Sequence, residues 1–435
     1  VSSPSTYALI GAGPSGLAGA RNLDRRGIAW TGFELADDVG GLWNIDAPRS
    51  TVYESAHLIS SRTTTEFTEF PMREDVADYP GHRALMAYFG DFADTFGLRD
   101  RFRFGTEVTR VEPAGPSTGG WDVTSRGPDG TTTTETFAGV ILANGTLSEP
   151  NVPQLEGEFT GEVMHTSAYK SPEVFRGKRV LIVGAGNSGC DIAVDAVHHA
   201  AAVDLSVRRG YYFVPKYLFG KPADTLNQGR PLPARLKQAI DSRVLRMFTG
   251  DPVRFGFPEP DYKIYESHPV VNTLVLHHIG HGDVAVRKDV ARLDGQDVHF
   301  VDGSSGTYDV LVLATGYRLH YPFIDRQHLS WTGAAPDLHL NIFSPEHDDL
   351  FVLGMIEASG IGWQGRYEQA ELVAAFIAAK ETGSPAADRL LEQVHGPRPD
   401  LTGGYHYLWL ERMSYYVNKD AYRRAVGRAI KELSA

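Results

Sequence analysis

"VLIVGAGNSGCDIA", residues 180–193, repeats almost the wording of "YALIGAGPSGLAGA", residues 7–20. A lone Gly-x-Gly-x-x-Gly is weak evidence in a chain with 46 glycines among 435 residues,. Context gives the two copies their meaning. Each follows a short apolar run, Tyr7 to Ile10 and Val180 to Val183, and each opens a helix-like stretch, Leu17 to Leu23 and Cys190 to Val194. In a strand–turn–helix setting the three glycines have separate duties. Gly11 and Gly184 permit the tight turn, and Gly13 and Gly186 let a pyrophosphate approach the backbone. Gly16 and Gly189 bring helix and strand close, while the helix start supplies positive partial charge. Pro14 and Ser15 complete the first loop, and Asn187 and Ser188 the second. The expected fold is α/β, with two Rossmann-like dinucleotide-binding domains.

The following strand separates the two sites. "GIAWTGFE" ends in Glu34, 18 residues past Gly16. A carboxylate there accepts hydrogen bonds from a ribose and repels a 2′-phosphate. The same offset past Gly189 falls on Val207, followed at once by Arg208 and Arg209. Two guanidiniums and no acid suit the 2′-phosphate of NADPH. This reading assigns FAD to the first copy and NADPH to the second.

The remaining chain divides around these motifs. "GVILANG" (139–145) and "DVLVLATGY" (309–317) are apolar strands ending at Ala143 and at Ala314-Thr315-Gly316, where the chain passes a bound dinucleotide. "EPNVPQLEGEF" (149–159) has the composition of a linker,. The expected domains are 1–150, the first part of an FAD domain; 151–308, an inserted NADP domain; and 309–435, the rest of the FAD domain with C-terminal helices. Residues 211–260, with "YYFVPKYLFGKP" and "DPVRFGFPEPDY", read as an irregular excursion covering a site. Residues 366–381 read as an apolar-faced helix closing the FAD domain. The last segment, "YHYLWLERMSYYVNKDAYRRAVGRAIKEL", reads as helical and amphipathic. It suits packing on the body, or on a second copy in a homodimer, rather than on a membrane.

Bulk composition excludes several function classes. A net charge of −12 argues against nucleic-acid and anionic-membrane partners, which select for basic patches,. A single cysteine leaves no intramolecular disulfide and points to a reducing, cytoplasmic setting,. Ser2 through Tyr7 carry no basic or long apolar leader-like stretch, and no run approaches the roughly 18 apolar residues that span a bilayer. The absence of Cys-x-x-Cys sets aside the disulfide-reductase branch of two-dinucleotide flavoproteins.

Between the two motifs, "FTGEVMHTSAYK" (159–170) has the form Phe-x-Gly-x-x-x-His-x-x-x-Tyr-Lys. It resembles the signature of the flavin-containing monooxygenases, whereas the sister Baeyer–Villiger enzymes have Trp and then Pro or Asp in the last two positions. "GGLW" (40–43), "ILANGTLSEPNVP" (141–153), "SVRRG" (206–210), "ATGY" (314–317) and "LGMIEASGIGWQGRYEQA" (353–370) follow in family order. The resemblance spans about residues 5–380 and implies an FAD- and NADPH-dependent monooxygenase. Such an enzyme uses O2 through a flavin C4a-hydroperoxide to oxygenate a soft N or S centre of a small organic substrate. It implies that Gly11, Gly13 and Gly16 hold the FAD pyrophosphate and Glu34 its ribose. Gly41, Leu42 and Trp43 would line the flavin, Val108 the adenine, and Gln364 the pyrimidine end of the isoalloxazine. Gly184, Gly186, Asn187, Ser188 and Gly189 would hold the NADPH pyrophosphate, with Arg208 or Arg209 on its 2′-phosphate. His165, Tyr169 and Lys170 would position NADP(H).

One stretch departs from the family pattern. "ESAHLISSRTTTEFTEFP" (54–71) has Ile59 where the family commonly has an asparagine beside the flavin. Isoleucine donates no hydrogen bond, so Ser60, Ser61 or His57 takes over that duty, or the oxygenated flavin is stabilised differently. The departure leaves room for Baeyer–Villiger oxidation of a ketone, or for largely uncoupled NADPH oxidation. Two further signals carry no chemistry at this level. "HHIGH" (277–281) lacks an acidic or third histidine ligand at motif spacing, so no metal is expected. Cys190 reads as a small apolar packing residue.

Overall fold

The structure, a computed structural model, describes residues 5–115, 118–227, 232–408 and 410–434. Residues 228–231 of the excursion and Trp409 of the C-terminal segment lie outside them. Two five-stranded parallel sheets carry the two glycine motifs. The first runs Leu350–Val352, Gly139–Leu142, Tyr7–Ile10, Trp30–Phe33, Phe102–Arg103. The second runs Glu162–His165, Val310–Leu313, Arg179–Val183, Ala202–Ser206, Val284–Arg287. In both, the strand that feeds the glycine loop is central. Parallel strands covered on both faces need unbroken apolar runs. YALI, GVIL and VLVL meet that need and are buried at every position.

Nesting of the modules follows from which strand fills the outer place. The first sheet takes Leu350–Val352 from late in the chain, so everything between belongs to an insertion or an excursion. The second takes Glu162–His165 from ahead of its own glycine motif. Val310–Leu313 pairs with Arg179–Val183 as Gly139–Leu142 pairs with Tyr7–Ile10. The boundary expected at 308/309 is therefore corrected: VLVL fills the gap between two strands of the inserted sheet. The chain crosses between modules at Glu149–Pro150 and Tyr317–Arg318, which lie antiparallel against each other. Both ends of the insertion thus leave through one two-stranded hinge.

The excursion is less irregular than its composition implies, because it holds a helix at Ala234–Thr249 and a short hairpin of Tyr217–Leu218 with Lys221–Pro222. In the C-terminal segment a short 3-10 turn at Glu411–Met413 precedes the α-helix Lys419–Leu433, where the Asn418 side chain accepts from the N–H groups of Asp420 and Ala421 and so starts the helix,. Tyr422, Val426 and Ala429 face the core shared with helix Gly362–Glu381. That helix packs in turn on Pro14–Arg25, closing the first module as expected. An antiparallel meander of Glu107–Pro113, Trp121–Arg126 and Thr132–Phe137 covers another side. No helix among the described residues is long and apolar enough to cross a membrane.

Candidate functional site

The two glycine loops share one backbone geometry. Gly11 has φ +107° and Gly184 φ +109°, values that exclude side chains of ordinary residues,. A Cβ on either would stand 2.5 Å from a carbonyl oxygen, that of Ala143 or of Ala314. A Cβ on Gly16 would fall 1.8 Å from the Gly11 oxygen, and one on Gly189 2.0 Å from the Gly184 oxygen. Gly13 and Gly186 cap the two helices in extended conformation, and no side chain caps either helix start. The first N–H groups of each helix therefore point outward with the positive end of the dipole, a cradle for an anion. A Cβ on Gly186 would meet nothing within 4 Å, so the second loop is open at its middle glycine. The first is approached by Gly41, whose Cα lies 3.4 Å from a Cβ built on Gly13.

Equivalent hydrogen bonds fix the correspondence between the following strands. Gly11 N–H donates to the Phe33 carbonyl at 2.8 Å, and Gly184 N–H to the Ser206 carbonyl at 3.0 Å. Glu34 and Val207 are therefore structural equivalents, as their common offset implied. Glu34 is buried; its Oε2 accepts from Ala12 N–H at 2.6 Å and its Oε1 from Ala36 N–H at 2.8 Å. Burial raises its pKa against the pull of those donors. Arg208 is exposed and Arg209 half-buried, and neither joins an ion pair among the described residues. Lys288 was not singled out in the sequence. Ser206 Oγ donates to its carbonyl at 2.8 Å, and Val207 N–H donates to Arg287 at 2.9 Å, so "VRK" (286–288) runs beside the arginine pair. The Arg287 guanidinium is held by Asp204 at 2.7 Å, which leaves Lys288 as the added cation.

Around the first loop, Leu42 and Trp43 are half-buried, and Trp43 meets Trp363 edge-on at 6.2 Å. Val108 lies at a bulge in the first meander strand. Gln364 stands in the first turn of helix Gly362–Glu381, its Oε1 accepting from Thr68 N–H at 2.9 Å. Asn144, next to Ala143, keeps a buried Oδ1 with no partner among the described residues. An orphaned acceptor beside the glycine loop fits a ligand rich in hydroxyls, as the ribityl and ribose parts of FAD are.

The linker signature joins the modules. His165 Nε2–H donates to the Gly316 carbonyl at 3.0 Å, and Nδ1 accepts from Ser167 N–H at 3.1 Å; burial lowers its pKa. Tyr169 is buried, stacks on Phe175 and donates to Asp195 at 2.9 Å. Lys170 Nζ donates to the Ser50 and Val52 carbonyls, both at 2.9 Å. Tyr169 and Lys170 thus have protein partners, and Lys170 ties the linker to residues 50–52 of the first module.

The stretch after residue 54 is tied to the excursion. Ser60 Oγ bonds to Thr65 Oγ1 at 2.7 Å. Ser61 is buried, and Asp224 Oδ2 accepts from its N–H at 2.7 Å, from its hydroxyl at 3.0 Å and from the Thr64 hydroxyl. Ile59 is half-buried. Asp224 sat unmarked in "GKPAD", because nothing local signals a partner 163 residues away. His57 Nδ1 donates to the Ser55 carbonyl at 2.9 Å, and its Nε2 abuts Lys216 Nζ. Together with Asp191, Asp195, Asn272 and Thr273 they border a cavity of about 440 Å³. Asp191, also missed, accepts from Tyr53 at 3.0 Å and Asn272 at 2.5 Å, and burial raises its pKa. A second cavity, about 690 Å³, lies between Trp43, His82, Arg83 and Lys170. Asn187 clamps the 269–271 loop, its Oδ1 accepting from Val271 N–H at 2.7 Å and its Nδ2 donating to the Pro269 carbonyl at 3.3 Å. Cys190 is fully buried, and burial raises its thiol pKa, which fits the packing role.

Two uncapped, glycine-walled cradles, each on its own parallel sheet, define a protein of two Rossmann-like dinucleotide-binding domains. Residues 5–400 match the family model FMO-like, "Flavin-binding monooxygenase-like". The chain belongs to that family and is a flavin-dependent monooxygenase. It is 32% identical over 376 residues to Dimethylaniline monooxygenase (N-oxide-forming) 2 of Pan troglodytes, covering 81% of this chain and 69% of that protein. Its fold is similar to that of S-allyl-L-cysteine S-oxygenase from Allium sativum, with TM-score 0.67 and 21% identity over 99% of this chain and 88% of the other. It is likewise similar to NADP+-bound cyclohexanone monooxygenase from Rhodococcus sp. Phi1, with TM-score 0.68 and 21% identity over 90% and 89% of the two chains.

Proposed function

We propose that the protein binds FAD at the first cradle and NADPH at the second, and uses O2 to oxygenate a soft nitrogen or sulfur centre of a small organic molecule. The observation that carries the cofactor assignment is the opposite polarity of equivalent positions. Buried Glu34 follows one loop, and Val207 with Arg208 and Arg209 follows the other. When bound, the flavin supplies hydride acceptance and oxygen activation, chemistry no side chain offers. The protein's residues bind, orient and exclude water. Gly13 and Gly186 admit pyrophosphates at helix starts, Glu34 selects an unphosphorylated ribose, and Arg208, Arg209 and Lys288 attract a phosphorylated one. Trp43 and Trp363 contribute apolar surface near the first cradle. The acidic composition and lone cysteine favour a reducing, cytoplasmic setting,.

Ketone insertion of the Baeyer–Villiger kind, or weakly coupled NADPH oxidation, is a second reading with its own observation. Ile59 has no donor, and the hydroxyls of Ser60 and Ser61 are engaged by Thr65 and Asp224. A screen of amines, sulfides and ketones, scoring NADPH consumption against peroxide release, separates the readings. Coupled turnover on amines or sulfides supports the first. Coupling only on ketones, or none at all, overturns it.

A further inference from the structure

We infer that His278, His281 and Asp283 form a surface site for a divalent ion of the zinc class, with water completing the coordination. They are the one grouping of three metal-ligating side chains among the described residues whose donor atoms all lie within 4.8 Å of one another. This differs from the pair His277 and His281 that the spacing in "HHIGH" offered, and it adds the acidic ligand that stretch lacked.

The local backbone explains the convergence. Helix Leu274–His281 ends at Gly282 in the left-handed conformation, and Asp283 N–H turns back to the His278 carbonyl at 2.9 Å. That cap swings the Asp283 carboxylate over the last helical turn. His278 and His281, three apart, already share one face there. Asp283 Oδ2 lies 2.9 Å from His278 Nδ1 and 3.9 Å from His281 Nδ1. A tetrahedral ion with bonds near 2.0–2.1 Å sets its ligands about 3.3 Å apart. One edge would widen and the other close by roughly half an ångström. The helix C-terminus adds negative partial charge beneath the ion.

A further imidazole lies beside the group without joining it. The exposed His198 follows helix Asn187–Ala196, and its ring meets that of His278 edge-on at 5.8 Å. The adjacent His199 is paired with Glu173 and stands outside the group. Two imidazoles and one carboxylate, with water in the fourth position, match the donor set of Zn²⁺ or Co²⁺ rather than of Mg²⁺ or Ca²⁺. Asp283 precedes strand Val284–Arg287, so the site sits at the sheet end opposite the glycine loop. Its role is a brace between helix and edge strand, away from the redox centre.

Titration of the whole flavin-loaded chain with Co²⁺, followed by displacement with Zn²⁺, tests the site. The expected result is one saturable equivalent with the strong visible bands of four-coordinate Co²⁺, beyond the flavin absorbance. His281→Ala and Asp283→Asn, both at solvent-exposed positions that leave the core intact, should each weaken binding more than about ten-fold. His277→Ala should leave it unchanged, and NADPH oxidation should be the same in all three variants. No saturable binding, or equal affinity in His281→Ala and His277→Ala, overturns the site.

Discussion

Asp224 Oδ2 accepts the Ser61 backbone N–H at 2.7 Å, joining the excursion of the inserted module to the turn just after Ile59. The same oxygen takes the Ser61 and Thr64 hydroxyls, so one carboxylate satisfies three donors on the other module. Removing it in Asp224→Ala strips the partly buried Ser61 N–H of its acceptor, at about 1–3 kcal/mol, while the Ser61 and Thr64 hydroxyls keep each other and the Ser61 carbonyl as partners,. The expected outcome is a lower unfolding temperature and a larger share of NADPH electrons released as peroxide. Asp224→Asn, which keeps an acceptor oxygen, should fall between. If Asp224→Ala matched the parent in both thermal scans and peroxide assays, the latch would have no function.

The cation cluster after the second cradle should read the 2′-phosphate. Arg208→Ala with Arg209→Ala is expected to raise KM for NADPH at least about ten-fold and to alter KM for NADH little, since only NADPH presents the dianion. Adding Lys288→Ala should extend the loss in the same direction. Steady-state kinetics with both coenzymes decide it. A parallel rise for NADH and NADPH would show that these residues shape the strand end without recognising phosphate.

Much of this was legible in the sequence because it is local. Gly11, Gly13 and Gly16, and their counterparts at 184, 186 and 189, have the same spacing because each does its steric work within one turn. The Glu34 and Val207 equivalence followed from counting, and hydrogen bonds from Gly11 and Gly184 to the preceding residues bear it out. What stayed hidden depends on distant partners. VLVL at 310–313 looks the same whichever parallel sheet it joins, so its module was misassigned. Asp224, Asp191 and Lys288 acquire their places only through residues some 80 to 160 positions away. Asp283 was missed although adjacent, because its approach to His278 arises from the left-handed Gly282 rather than from helical periodicity.

His339 makes a pH prediction. It is buried, its Nδ1 has no partner among the described residues, and burial with the nearby Arg398 pushes its pKa down to about 4. In the unfolded chain the ring titrates near 6.5. Between these values the unfolded state binds a proton that the folded state refuses. Stability therefore falls as pH drops from about 6.5 to about 4, by up to about 1.4 kcal/mol per unit from this ring alone, and is unaffected by it above or below. His339→Leu should flatten that part of the acid limb. Unfolding midpoints in denaturant across the window provide the measurement, and an unchanged slope would assign the acid sensitivity elsewhere.

Ile59 offers the sharpest test of the catalytic reading. Its neighbours cannot easily supply a donor in its place: Ser60 is bonded to Thr65, and Ser61 to Asp224. Replacing Ile59 by Asn adds one amide at a half-buried position without crowding, since asparagine is the smaller side chain. If the position faces the flavin, the new donor stabilises developing charge on the reacting oxygen, and a single well-placed donor is worth up to about 10²–10³ in rate. The expected outcome is less peroxide per NADPH consumed, with KM for NADPH little changed. Ile59→Leu, equal in size and without a donor, should behave as the parent. A peroxide yield that moves equally in Ile59→Asn and Ile59→Leu would trace the effect to packing, and no change in either would place residue 59 away from the flavin.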